Sequence, residues 1–284
     1  MSENLSDEQA GPATADAVAD YLAAAARARA PRTLPMLRSD LAELAGFLAR
    51  RGVLAVSDLQ RRHLHAWARH LRGRRLAPST VARKISHARG WCAFLVARCW
   101  LAESPATWLR TPAPRPQPAP AALDADVLLA ACAGDDALSL RDHALVEILY
   151  AAGLRASEVA RLRVGDVALD GGQVIVPGRR AGQRVLPLHR AACLALARYI
   201  ARVRADARPA EALFLSRRGT PLRERDVRAR VRALGRRAGV PRATPDLLRW
   251  QLARDLAARG ANVRAIAQLL GHARLSTTRR GLAR

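Results

Sequence analysis

Leucines recur at helical spacing near the start of the chain. Leu37, Leu41, Leu44 and Leu48 follow one another at intervals of four, three and four residues. This spacing places all four on one face of an amphipathic helix. The sequence therefore predicts a helix whose leucine face packs against a core.

A second helix is predicted to begin near Ser79, a residue type suited to the N-cap position. Its apolar face carries Val81, Ile85, Ala88, Cys92 and Leu95. Its opposite arc carries Arg83, Lys84, Ser86 and His87. One side of this helix is expected to pack and the other to be positive and polar.

The run of Arg72, Arg74 and Arg75 precedes this helix and adds to its positive arc. Two interpretations stay open for these basic residues. They bind DNA, or they form an ordinary solvated surface. The candidate DNA-binding residues are Arg72, Arg74, Arg75, Arg83, Lys84 and His87.

Alternating prolines then interrupt the helical pattern in TPAPRPQPAPAAL, residues 111–123. Proline lacks a backbone donor and favours extended polyproline geometry, so this stretch is predicted to be a linker. The predicted organisation is a disordered tail (1–13), an N-terminal helical DNA-binding domain (14–108), a proline-rich linker (109–123) and a second domain (124–284).

The second domain is predicted to be mostly helical with a small sheet. Helical patterning covers 124–162, and the runs Gln173–Val176 and Arg184–Leu188 flank the turn-like PGRRAGQ, which predicts a hairpin. Further helices are expected from about residue 190. One should begin with Thr244 as N-cap before a proline, and another should end at Gly271.

The charge of the chain points to a polyanionic partner. Its 284 residues include 48 lysines and arginines against 24 acidic residues, giving a formal charge of +24 and a pI near 11.7. Lys84 is the only lysine. Arginine suits bidentate binding of phosphate, but a GC-rich genome explains the same bias, and both explanations stay open.

Cysteines and hydropathy exclude other classes of protein. The four cysteines (Cys92, Cys99, Cys132, Cys193) form no CxxC pair, which favours free core thiols over disulfides or a metal site. The sequence has no apolar run long enough for a membrane span, and its polar, acidic N-terminus is unlike a signal peptide. A cytoplasmic protein without a membrane partner is expected.

Four segments of the second domain carry a family resemblance. They are YAAGLRASEVARLRVGDV (150–167), GRRAGQRVLPL (178–188), TPDLLRWQLARDLAARG (244–260) and LLGHARLSTT (269–278). In this order they resemble the motifs of the tyrosine recombinases, the phage integrase family, and in particular its Xer-type members. PRTLPMLRSDLAELAGFLARRG and LAPSTVARKISHARGWCAFLV resemble that family's helical DNA-clamping domain.

The resemblance implies a mainly α fold. An N-terminal helical core-binding domain, SAM-like in fold, would precede a mostly helical catalytic domain with a small antiparallel sheet. It also implies that the two domains clamp double-stranded DNA during site-specific recombination, integration or chromosome-dimer resolution. Homologous subunits would occupy an inverted-repeat site.

The resemblance further implies the chemistry of the site. In this family a tyrosine attacks a backbone phosphate and leaves a 3′-phosphotyrosyl enzyme, with no metal or other cofactor. Two arginines and a histidine or tryptophan hold the phosphate oxygens in the transition state. The matching residues are Arg155 in GLRASE, Arg249 in DLLRW and His272 after Gly271.

Other positions depart from the family pattern. The lysine that protonates the leaving 5′-oxygen aligns with Arg179, which can hold a phosphate but is a poor proton donor. Asp246 stands where a histidine precedes the second arginine, and its carboxylate would partly cancel the charge of Arg249. Trp250 replaces the histidine that usually follows that arginine.

The nucleophile position is also changed. Nine residues after His272 stands Gly281, and the only tyrosines of the chain are Tyr21, Tyr150 and Tyr199. The ending RRGLAR is compatible with a truncated or frameshifted catalytic domain, but the changes at Arg179 and Asp246 favour longer-standing decay or a binding role.

Three hypotheses follow from these residues. The first is a recombinase homologue that binds DNA but is impaired in cleavage, a pseudoenzyme. The second is an active subunit that uses a tyrosine donated in trans. The third is a non-catalytic DNA-binding regulator.

Overall fold

The computed structural model describes residues 11–28, 33–111, 122–177, 182–208 and 211–283. The chain divides into two compact units, Met1–Gln117 and Pro118–Arg284, and this division falls inside the predicted linker. Residues 1–10 of the predicted tail, most of the linker and the candidate residue Arg179 lie outside the described residues.

The described part of the first unit is helical. Its α-helices are α1 (Thr14–Ala28), α2 (Leu34–Ala49), α3 (Arg61–Gly73) and α4 (Pro78–Ala97). The leucine face predicted for α2 is confirmed, because Leu37, Leu41, Leu44 and Leu48 are at most 1% exposed in the core of this unit.

Helix α4 begins one residue before the predicted N-cap. Ala77 is its N-cap residue and Pro78 its first residue, so Ser79 lies inside the first turn. The prediction that Ser79 caps the helix was wrong. The fixed φ of proline suits the first helical position, and this preference decides the helix start.

The second unit combines helices with one small sheet. Its α-helices are α5 (Ala125–Ala130), α6 (Ala137–Ala151), α7 (Ala156–Val159), α8 (Arg190–Val203), α9 (Glu224–Arg237), α10 (Pro245–Ala258), α11 (Val263–Leu270) and α12 (Leu275–Leu282). Its strands are β1 (Val167–Ala168), β2 (Gln173–Pro177) and β3 (Gln183–Pro187).

The predicted hairpin is confirmed as the antiparallel pair β2–β3, in which Val174 lies opposite Leu186. Both side chains are buried in the core of the unit. Strand β1 adds to the other edge of β2 and was not predicted from the sequence. Two residues are too few to show the alternation that identifies a strand.

Helix ends fix the elements that carry the candidate site. Helix α10 begins as predicted, because the Thr244 hydroxyl accepts a hydrogen bond from the Leu247 amide at 3.2 Å and Pro245 takes the first position. Helix α11 ends as predicted at Gly271, which adopts the left-handed conformation with φ of 62°. Helices α10, α11 and α12 pack through a small apolar cluster that includes Ala253, Ile266 and Leu282.

Thiols and hydropathy give two further results. All four cysteines are free, but Cys99 is exposed, so the prediction of core positions holds for Cys92 and Cys132 and not for Cys99. None of the helices among the described residues is long and apolar enough to cross a membrane.

Candidate functional site

Arg155 lies in a tight connection between α6 and α7. Gly153, two residues before it, has a φ of +57°, and a Cβ there would lie 2.8 Å from Leu270 and 2.9 Å from Leu252, so a side chain would strain the backbone and displace both leucines. The close packing of this glycine against α10 and α11 brings Arg155 next to the end of α11. Its Nη2 donates to the carbonyl oxygen of Gly271 at 3.3 Å.

The carboxylate of Glu158 binds both Arg155 and Arg184. Its Oε2 accepts the backbone N–H of Arg155 at 2.8 Å, and its Oε1 accepts Nη1 of the same residue at 3.0 Å. Arg184 of β3 donates Nη2 to Oε2 at 3.0 Å. One carboxylate therefore fixes two guanidinium groups from different elements.

The same contacts keep Glu158 ionised. Burial alone would raise its pKa, but the amide of Arg155 and the charges of Arg184, Arg155 and Arg249 outweigh burial and lower the pKa below its usual 4.5. The carboxylate is 8% exposed and remains charged at neutral pH.

Arg249 is the buried cation of the site. It lies on α10 and is 4% exposed. Its Nη1 donates to the carbonyl oxygen of Gly153, and its Nη2 donates to that of Leu270. Burial, together with the neighbouring charge of Arg155, lowers the pKa of Arg249 to about 9. An anion next to this guanidinium would stabilise the charged form.

His272 follows the left-handed Gly271 directly. Its Nδ1 lies 2.9 Å from the hydroxyl oxygen of Thr278, which is fully buried on α12. Burial and the charges of Arg249, Arg155 and Arg184 lower the pKa of His272 to about 4. The imidazole is therefore neutral at pH 7 and can donate one hydrogen bond from Nε2 when Thr278 donates to Nδ1.

The three retained positions of the family motif converge on the end of α11. Arg155 and Arg249 bond to the consecutive carbonyls of Gly271 and Leu270, and His272 is the next residue. Part of their role is structural, because arginines at a helix C-terminus satisfy its last carbonyls. The charges of three guanidinium groups, those of Arg155, Arg184 and Arg249, nevertheless act on the buried carboxylate of Glu158, which leaves an excess of positive charge around it.

Sequence reasoning did not assign Glu158 or Arg184 to the site. Glu158 was visible in the GLRASE motif, and its place three residues after Arg155 is that of a residue that bonds back to the start of a helix. No comparable signal marks Arg184, because its contact with Glu158 depends on the packing of β3 beside α7.

Asp246 lies in the first turn of α10, as predicted, and is exposed. Its Oδ2 lies 3.2 Å from Nη1 of Arg228 on α9. Asp246 therefore forms an ion pair with Arg228, in addition to its electrostatic effect on Arg249. We expected the carboxylate to cancel part of the charge of Arg249, and its pairing with Arg228 reduces that effect.

Gly281 lies on α12, and the ring of Trp250 occupies the place where a Cβ of residue 281 would lie. None of the three tyrosines of the chain is available to replace a nucleophile here. Tyr150 donates to Asp255 at 2.6 Å and has a pKa raised to about 12 by burial and this carboxylate. Tyr199 is fully buried and donates to the Leu213 carbonyl at 3.0 Å, and Tyr21 is buried in the core of the first unit.

The candidate DNA-binding residues of the first unit differ in exposure. Arg72, Arg74 and Arg75 are exposed. Lys84, in contrast, is buried, so the positive and polar arc of α4 does not face solvent at this residue. A helical periodicity identifies the polar side of α4 but not the acidic residues of α2 that pack on it.

Asp40 on α2 holds the basic arc of α4. It is 3% exposed and accepts hydrogen bonds from Nε of Arg83 at 2.9 Å and from Nζ of Lys84 at 2.8 Å. Nδ1 of His87 lies 2.8 Å from Oδ2 of Asp40. Glu43, one turn further along α2, contacts Lys84 at 3.0 Å and Arg74 at 2.8 Å. Four of the six candidates are therefore held by two carboxylates.

Comparison with known proteins supports the motif assignment. Residues 122–281 match the phage integrase family, and residues 18–99 match the phage integrase N-terminal SAM-like domain. The chain is 36% identical over 261 residues to the tyrosine recombinase XerC of Neisseria gonorrhoeae, covering 88% of this chain and 84% of that protein. It is also 36% identical over 257 residues to XerC of Xylella fastidiosa, covering 89% and 86%.

Solved structures share the fold. The integrase of transposon Tn1549, in complex with transposon right end DNA, superposes with a TM-score of 0.76 at 17% identity, covering 96% of this chain and 95% of that chain. The XerH site-specific recombinase bound to difH substrate superposes with a TM-score of 0.74 at 16% identity, covering 96% and 82%.

Proposed function

Because the chain belongs to the phage integrase family of tyrosine recombinases, we propose that it is a Xer-like homologue that binds duplex DNA and holds a backbone phosphate without cleaving it. The observation that carries this proposal is the convergence of Arg155, Arg249 and His272 on the end of α11, beside a nucleophile position occupied by glycine. Binding groups are present, and the group that attacks is not.

The geometry suits a phosphodiester. Guanidinium groups donate pairs of hydrogen bonds to phosphate oxygens, and a neutral imidazole adds one more donor without further charge. Arg155 and Arg184 are partly exposed, at 27% and 23% of their side-chain surface, so an anion can reach them. Burial of Arg249 strengthens its interaction with an anion, because water screens a buried charge less.

Cleavage would need groups that this chain does not place at the site. Gly281 offers no hydroxyl, and the three tyrosines are held in hydrogen bonds or in a core, as described above. Arg179 at the lysine position keeps its proton and is poorly suited to protonate a leaving oxygen. A phosphate held here would remain intact in the strand.

The wider chain favours a DNA partner. Its formal charge is +24, and the exposed Arg72 and Arg75 of the first unit can contact the DNA backbone. Tn1549 integrase and XerH, similar in fold, were solved on DNA. We infer a role at a site-specific recombination site, where homologous subunits would bind neighbouring half-sites of an inverted repeat. A chromosomal site would place the protein in the cytoplasm.

Binding by matched arginine variants tests this proposal. R155Q removes one phosphate-binding guanidinium, and R198Q removes an equal charge from an exposed arginine on α8. We expect R155Q to weaken binding of a duplex, selected by the protein from a random-sequence pool, by roughly tenfold or more. The slope of log affinity against log salt should fall by about one.

Fluorescence anisotropy at several salt concentrations measures both quantities. R198Q should bind within about twofold of the unaltered protein, since an exposed pair contributes little. Equal effects of R155Q and R198Q would mean that general charge, and not this site, binds the DNA.

A further inference from the structure

Gly281 of α12 packs directly against the indole of Trp250. The residue is buried, and a Cβ added to it would lie within 2.5 Å of three ring carbons of Trp250: Cζ3, Cη2 and Cε3. Such approaches do not occur between real atoms in contact, so no side chain fits at this position while the indole stays in place. The absence of a side chain at 281 is thus a packing requirement of this structure.

Trp250 is held in place from several sides. It lies on α10 immediately after Arg249 and packs on the cluster shared by α10, α11 and α12, with Leu282 among the partly buried members. Its ring centroid lies 5.5 Å from that of His272. The indole therefore occupies the space between the phosphate-binding residues and α12.

We propose that Trp250 and Gly281 are an interlocked pair in which the indole fills the volume that a side chain at position 281 would need. The packing claim stands on the contacts alone. Its functional meaning rests on the proposed function: Trp250 closes the site against a nucleophile at position 281. Trp250 on α10 is larger than the histidine of the family pattern, and Gly281 on α12 is smaller than the tyrosine. The two changes therefore compensate each other in volume.

This packing determines the order in which residues 250 and 281 can be replaced. A tyrosine introduced by G281Y alone would have to displace the indole or lift α12 from α10. The altered position 250 therefore blocks recovery of the nucleophile as firmly as the altered position 281. A reduction of the ring, as in W250H, is required before G281Y can be accommodated.

A double-mutant cycle measures the interlock. G281A adds one methyl group against the indole, and we expect it to lower the Tm by about 5 °C. The matched control is G73A at the end of α3, where a Cβ meets nothing within 4 Å and helix propensity favours alanine. G73A should leave the Tm unchanged or raise it by up to roughly 3 °C.

The destabilisation caused by G281A should disappear when the ring is removed. In the W250A background, or in W250H if W250A does not fold, G281A should leave the Tm unchanged or raise it, because the methyl group then enters free space. The same comparison applies to the larger change: G281Y should lower the Tm less in the W250H background than in the unaltered protein.

Hydrogen exchange of the α12 amides covers the case in which α12 detaches locally without a change of the global Tm. G281A should speed this exchange only when Trp250 is present. Equal effects of G281A in both backgrounds, on Tm and on exchange, would overturn the proposal. The double-mutant cycle measures packing and not DNA binding. A negative result here would therefore be distinguishable from a failure of the proposed function.

Discussion

Replacing Asp40 with asparagine is expected to destabilise the first unit by about 3–5 kcal/mol, the range for breaking a buried charge pair by removing one partner. Asp40 is 3% exposed and binds Arg83, Lys84 and His87 from α4. Without its charge, the buried ammonium of Lys84 would keep only Glu43 as an acidic partner. The cost is large because Lys84 is 8% exposed and water cannot replace the carboxylate.

The effect of D40N should also depend on pH. Burial raises the pKa of Asp40, but hydrogen bonds from Arg83 and Lys84 prevail and lower it below its usual 3.8. The stabilisation is therefore present above pH 3.8 and is lost as the pH falls through the lower pKa of the folded protein. D40N should remove this part of the acid sensitivity.

Hydrogen exchange of α2 and α4 in the intact chain measures the local loss. D20N, at an exposed aspartate of α1, is the matched control and should change stability by at most about 0.5 kcal/mol. If D40N and D20N behave alike, the carboxylate does not hold the basic arc of α4.

E158Q is expected to have the second large effect, a loss of about 3–5 kcal/mol in the second unit. Glu158 neutralises part of the charge of Arg155, Arg184 and Arg249, and its carboxylate is 8% exposed. Glutamine keeps the shape and one acceptor oxygen but removes the charge. The three guanidinium groups would then repel one another without a buried anion.

An added anion should rescue E158Q. Phosphate can occupy the positive cluster and replace the missing charge, so phosphate should raise the Tm of E158Q more than that of the unaltered protein, relative to chloride at equal ionic strength. E211Q is the control, because Glu211 is 48% exposed in its ion pair with Arg204, and exposed ion pairs contribute little to stability. A Tm of E158Q no lower than that of E211Q would contradict this account of the site.

Local signals in the sequence predicted much of the fold. The leucine stripe identified α2, and threonine with proline identified the start of α10, because helix ends are set by a few residues adjacent in the chain. Gly271 ended α11 for the same reason. At Ser79 the local rule failed, since two residue types suited to a helix start compete there and proline takes precedence.

Contacts between elements could not be predicted in this way. Arg184 meets Glu158 across 26 residues, and Lys84 meets Asp40 across 44, at positions that no periodicity links. Arg155, Arg249 and His272 were identified through the family motifs and not through their spacing. Their convergence on the end of α11 became visible only in the folded chain.

The interlock of Trp250 with Gly281 gives the changed positions a physical connection. Seen in the sequence, the two substitutions are 31 residues apart and independent. In the fold the two positions pack against each other, because a Cβ at 281 would meet the ring of Trp250. Binding of a phosphate requires neither residue to change.

Covalent trapping tests the central claim, that this chain holds a DNA phosphate and does not break the strand. A duplex selected by the protein is prepared with a nick, so that any cleaved fragment diffuses away and a covalent intermediate accumulates. The same binding reaction is run on native and denaturing gels. We expect a shifted complex on the native gel and no protein-linked DNA on the denaturing gel. A denaturant-resistant band that protease removes would show a covalent intermediate and contradict the account.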